Sequence, residues 1–169
     1  YQEGASYIYP DAWEHYLKPI PTEKQSNLIK AYYEILTGND KKARYQAAKA
    51  WSIWEASTSK LIQNKKSLHH FEDENIADIF ARIECHFFIN KGFFEYDGWL
   101  LDQIDIIRHI PCVIVQGRYD VVCPMITAWE LHKKWPEANF HIVQDSGHSM
   151  LEQGIRDKLI EYTNKYANL

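Results

Sequence analysis

The sequence predicts an α/β fold in two parts: a mainly helical segment over residues 1–104, then the closing strands and helices of a parallel sheet over 105–169. Three observations predict it. Apolar residues recur at spacings of three and four through most of the first hundred positions, the period of a helix with one buried face. Beyond residue 110, two short β-branched runs alternate with helical patterns, and strand–helix–strand–helix is the order that makes strands parallel through crossovers. Each run ends in a polar cluster containing glycine, first "QGRYD" (116–120) and then "QDSGH" (144–148).

The elements follow in order. "TEKQSNLIKAYYEILTG" predicts a helix with an N-cap at Thr22 and a stop at Gly38, its apolar face formed by Leu28, Ile29, Tyr32, Ile35 and Leu36. "NDKKARYQAAKAWSIWEAST" predicts about five turns starting at Asn39 or Asp40, on alanine-rich, helix-favouring composition. "HFEDE" (70–74) reads as a loop. "ENIADIFARIECHFFINKG" predicts a third helix with Ile76, Ile79, Phe80, Ile83 and Phe87 on one face and a stop at Gly92. "GWLLDQIDIIRHI" gives a short helix and a connection. There follow a strand over 111–116, a helix from Pro124 to about Lys134, a strand over 139–144 and a closing helix from about Ser149 to Ala167. Proline suits a first helical turn because its missing N–H is not needed there. Two strands cannot form a doubly covered sheet, so this part is expected to be the edge of a larger sheet whose other strands lie in a segment upstream. The opening "YQEGASYIYP", without methionine, fits that expectation.

Composition narrows the function. The 169 residues carry a formal charge of −4 with no basic face, which predicts neither a nucleic-acid partner nor an anionic membrane surface. No apolar run reaches the roughly 18 residues of a membrane span. Three widely spaced cysteines suggest reduced thiols and a cytoplasmic setting rather than a disulfide framework. The adjacent pairs Cys85-His86 and His69-His70 lack metal-ligand spacing, so neither a metal nor a cofactor is expected.

The chemistry concentrates at the carboxyl ends of the two strands, where open α/β sheets place their functional groups. Asp120 follows the first, after Gly117, and His148 the second, next to Gly147, and each glycine lets the backbone bend. A carboxylate that fixes an imidazole's tautomer, and an imidazole that takes a nucleophile's proton, are two members of a catalytic triad. The order Asp then His matches α/β-hydrolases, where the serine comes first on a G-x-S-x-G elbow. That elbow is not in this sequence: "GASYI" and "GHSML" lack the second glycine, and no His-Gly-Gly oxyanion segment occurs.

Five stretches make the likeness specific: "YQEGASYIYPDAWEHYLKPIP", "AAKAWSIWEAS", "ARIECHFFINKGFF", "IPCVIVQGRYDVVCP" and "DSGHSM". Together they resemble the C-terminal half to two thirds of proline iminopeptidase (prolyl aminopeptidase), a serine peptidase of the α/β-hydrolase fold. The resemblance implies a fragment of that fold: a helical cap domain over 1–104, with the preceding core connection at its start, and the C-terminal part of the core over 105–169. It implies release of N-terminal proline from peptides, with Asp120 as triad acid and His148 as triad base. By the same resemblance Glu55 and Glu84 hold the substrate's cationic imino group, while Tyr1 and Cys123 line the pocket for its ring. The implied partners are peptides with N-terminal proline and the N-terminal half that carries the serine; without that half the chain is expected to be inactive. Two other readings are a non-catalytic hydrolase-like binding module and a cap-bearing esterase. Paired carboxylates argue against both, since a neutral ester needs no paired anions. Arg82 is an alternative partner for Glu84.

Overall fold

A computed structural model describes residues 4–63 and 73–167. They form two compact units, one of residues 4–57, 63 and 73–94, the other of 58–62 and 95–167.

The first unit is helical. Helices α1 (Ala5–Ile8) and α2 (Pro10–Leu17) lead into a 3-10 turn (Thr22–Asn27), then α3 (Leu28–Leu36), α4 (Lys41–Thr58) and α5 (Glu74–Ile89). The cap of α3 is not Thr22. Asn27 takes that place, its Oδ1 accepting from the Lys30 N–H at 3.1 Å, while Thr22 follows Pro21 into the 3-10 turn. Asp40 begins α4 as expected, accepting from the N–H groups of Lys42 and Ala43 at 3.0 and 3.1 Å. Asp73 does the same for α5, whereas His70, Phe71 and Glu72 of the expected loop lie outside the described residues. Helix α5 ends at Ile89, and Gly92 takes a positive φ of 64° in the following 3-10 turn (Lys91–Phe93), so the stop falls three residues early.

Packing in this unit departs from the expected pattern in one important respect. Helix α5 buries Ala77, Asp78, Ala81 and Cys85, and it lies against α3, whose buried face is Leu28, Ala31, Tyr32 and Leu36. The large residues expected to be its core face point outward: Ile79, Ile83 and Phe87 are 61%, 57% and 50% exposed. Small side chains let two helix axes approach closely, and the contact from the Cys85 thiol to the Ile29 backbone carbonyl at 3.6 Å records that approach. Burial pushes the Cys85 thiol up to about 12. Asp78, buried on this face, pairs with Arg44 at 3.1 Å and with Arg82 at 3.7 Å. The centre of the unit is aromatic: Tyr16 stacks on Tyr32 with ring centroids 4.7 Å apart, and Trp51 and Trp54 close around them. The Tyr32 hydroxyl donates to the Tyr16 carbonyl.

The second unit carries α6 (Trp99–Asp102), α7 (Ile104–Ile107), β1 (Val113–Gly117), α8 (Met125–Lys134), β2 (Asn139–Val143) and α9 (Gln153–Tyr166). The strands pair in parallel, Val113 opposite Asn139 through Gly117 opposite Val143. Their alternation serves two faces. Phe140 stacks with His132 of α8, and on the other face His141 Nε2 meets the Tyr162 hydroxyl of α9 at 2.6 Å. Ile104, Trp135 and Ala138 form a small core with Cys112, Ile114 and Leu131. Pro124 caps α8 instead of forming its first residue. Helix α9 starts at Gln153, four residues later than expected, because Ser149–Glu152 make a turn: the Glu152 N–H donates to the Ser149 carbonyl at 3.0 Å.

Candidate active site

Strand β1 delivers Asp120 and β2 delivers His148. Beyond the paired strands the ladder continues, with the Arg118 N–H donating to the Val143 carbonyl at 2.9 Å and the Tyr119 N–H to the Ser146 carbonyl at 3.0 Å. The two loops therefore run side by side. Gly117 is required for this, since a Cβ there would stand 1.9 Å from the Gly147 carbonyl oxygen.

The Asp120 side chain is fully engaged. Its Oδ1 accepts from the N–H groups of Val122 and Cys123 at 3.0 and 2.8 Å, which closes the turn into α8. Its Oδ2 accepts from His148 Nδ1 at 2.9 Å and from Gln116 Nε2 at 3.1 Å. Burial alone would raise this carboxyl. The bonds from His148, the Cys123 amide and Gln116 outweigh burial and hold it below the usual range. His148 is pushed up to about 10 from an ordinary 6.5, first by its hydrogen bond to Asp120 and next by the Cys123 side chain, against the opposing effect of burial. With Nδ1 committed to Asp120, Nε2 is the ring nitrogen left for proton exchange, and the side chain is 40% exposed.

Asp120, His148 and Cys123 are thus brought together. Glu55 and Glu84 belong to the helical unit. Glu84 Oε2 accepts from the Trp51 indole N–H at 2.6 Å, and Arg82, considered above as its partner, pairs with Asp78. Glu84 borders an apolar depression of about 360 Å³ walled by Ile76, Ile79, Phe80 and Ile83. Glu55 stands on α4 next to buried Trp54, with its Oε1 shut off from solvent. Tyr1 and the His69-His70 pair lie outside the described residues. Among the described residues no cluster of His, Cys, Asp or Glu is placed to hold a metal ion, and no helix is long and apolar enough to cross a membrane.

Sequence reasoning missed Gln116, Trp51 as the donor to Glu84, and Glu152, whose Oε1 accepts from the Gly147 N–H at 2.9 Å beside His148. Gln116 had a faint signal, a polar residue ending an otherwise apolar strand. Glu152 had another, an acid just ahead of the closing helix.

A parallel strand pair joined through a helix, with an acid after the first strand bonded to a histidine after the second and helices preceding them, is consistent with the C-terminal part of an α/β-hydrolase with cap helices. No family model matches the chain. Curated relatives do: it is 58% identical over 167 residues to a probable proline iminopeptidase of Leptolyngbya boryana, covering 99% of this chain and 52% of that protein. It is 50% identical over 170 residues to the proline iminopeptidase of Arabidopsis thaliana, covering 100% and 45%, and 49% identical to that of Xanthomonas citri, covering 99% and 53%. The chain is homologous to the proline iminopeptidases, and it spans about half the length of the curated relatives it matches, consistent with their C-terminal portion.

Proposed function

We propose that the full protein containing this chain is a serine exopeptidase that releases N-terminal proline from peptides, and that this chain supplies its acid, its base and its substrate-recognising carboxylates. The observation that carries the reading is the 2.9 Å bond from His148 Nδ1 to Asp120 Oδ2, in a chain whose relatives are named proline iminopeptidases. Asp120 fixes the tautomer and stabilises the imidazolium that forms when Nε2 takes the nucleophile's proton. The nucleophile is a serine of the N-terminal half, the chain's principal partner. Proton uptake needs a neutral ring, and covering the exposed edge of His148 by that half disfavours the charged form.

Residues 1–104 act as the cap and 105–169 as the C-terminal part of the core. The two compact units support a division of this kind. Glu84, held by Trp51 beside an apolar depression, has the chemistry to bind a cationic imino group next to an apolar ring. Glu55 contributes a second, half-buried carboxylate from α4, and Cys123 and Tyr1 line the ring's pocket. The three free cysteines support a reducing, cytoplasmic setting. Neither nucleic acid nor membrane is among the partners, in keeping with the net charge of −4.

The test compares L-proline arylamide with its N-acetylated form as substrates of the full-length protein. Hydrolysis of the free imino substrate alone is the expected result. Equal hydrolysis of both would remove the need for paired carboxylates and favour a cap-bearing esterase or amidase.

A further inference from the structure

The loop bearing His148 is not held by the sheet alone. From the last residue of α4 the chain forms a short strap, residues 58–62, that belongs to the strand unit. The Ser59 carbonyl accepts from the backbone N–H of His148 at 3.1 Å and from that of Ser149 at 2.8 Å. Glu152 closes the other side: one carboxylate oxygen accepts from the Gly147 N–H at 2.9 Å and the other from the Leu61 N–H at 3.2 Å. Gly147 admits this arrangement, since a Cβ on it would stand 2.9 Å from the Leu61 nitrogen and 3.3 Å from Glu152 Oε1. Three hydrogen bonds therefore tie the consecutive residues 147–149 to the strap and its clasp, and a fourth, from the Leu61 N–H, ties the clasp to the strap.

We propose that Glu152 is a positioning residue for the base: by clasping the strap to the histidine loop it fixes the direction of the His148 side chain toward Asp120. Asp120 is pinned by the Val122 and Cys123 amides and by Gln116, whereas the backbone beneath His148 is held by Ser59 and Glu152. Removing the carboxylate frees Gly147 and Leu61 together and lets the loop turn the ring out of line. A displacement of about 1 Å is enough to cost on the order of a hundredfold in a proton-transfer step. The strap is the direct continuation of the helix that carries Glu55, so the base loop is tied to chain leaving the recognition helix.

The catalytic part of this inference rests on the peptidase reading; the positional part does not, and the experiment separates them. In the full-length protein the imidazole resonances of His148, assigned by loss in His148→Gln, are titrated in wild type, Glu152→Ala and Glu152→Gln. The ionisable groups that act on the ring are Asp120 and Cys123, and both are unchanged. The His148 midpoint, raised by the bond to Asp120, is expected to fall in Glu152→Ala, with Glu152→Gln in between, because an amide has one accepting oxygen. Turnover of L-proline arylamide is expected to fall about ten- to a hundredfold in Glu152→Ala, with KM changed less than about threefold. If Glu152→Ala does not fold, Glu152→Gln decides by the same two readouts. An unchanged His148 midpoint in a folded variant overturns the proposal, whatever happens to stability. A wild type inactive on the arylamide would sink the peptidase reading while the titration still judged the clasp.

Discussion

At the scale of single residues the molecule separates two kinds of carboxylate. Asp120 spends every lone-pair direction on named donors. Glu84 has one oxygen on the Trp51 indole and borders an apolar depression. Glu84→Gln keeps an oxygen for the indole while removing the charge. It should lower kcat/KM on substrates with a free imino terminus by about 1–3 kcal/mol, the range of a charge-assisted hydrogen bond, as should Glu55→Gln. Steady-state kinetics on free and N-acetylated arylamides check this, because a structural role would lower both alike. The His148–Asp120 pair also sets a pH dependence. His148 has a raised midpoint, so its contribution to stability is complete below about 6.5 and disappears as pH rises toward 10. Asp120 has a lowered one, so its contribution is complete above 3.8 and disappears as pH falls through its folded value. Denaturant unfolding of wild type against Asp120→Asn should show the largest difference between about pH 4 and 6.5 and a shrinking one on either side. A difference independent of pH would mean that the pair is not ionised as described.

At the scale of elements, strand and helix order were legible because periodicity and glycine placement are local signals. Asp40 capped α4 as its sequence announced, and the parallel strands fell within two residues of their expected ends. What was not legible was which face of α5 is buried. Periodicity finds the large apolar residues Ile79, Ile83 and Phe87, but helix packing against α3 selects the small ones, since Ala77, Ala81 and Cys85 allow the closer approach. Boundaries moved for local reasons: Asn27 outcompeted Thr22 as a cap through its side chain, and the Ser149–Glu152 turn delayed α9 through a backbone bond. The buried face makes an opposite pair of outcomes. Ala81→Leu should destabilise the helical unit by about 1–3 kcal/mol through overpacking, while Ile79→Ser should change stability by less than about 0.5 kcal/mol. Chemical denaturation of the two variants decides; the reverse order would restore the face expected from periodicity.

At the scale of the whole molecule, the candidate site was legible in its acid and base because their loops follow strands whose order fixes adjacency. Its supports were not, since Gln116, Trp51 and Glu152 act through partners 4, 33 and 91 residues away along the chain. The sequence contains no G-x-S-x-G elbow, and the proposed function draws the nucleophile from the N-terminal half. Residues 1–169 alone should not release arylamine from L-proline arylamide, and adding the N-terminal half should restore release if the halves associate. Unaided turnover by the 169 residues would require a nucleophile within them. The most direct measurement is the turnover of L-proline arylamide by the full-length protein with and without the base. His148→Ala should lower kcat about 10⁴-fold or more with the fold retained, as loss of a triad base does. A folded His148→Ala protein that turns over at near the wild-type rate would contradict the account.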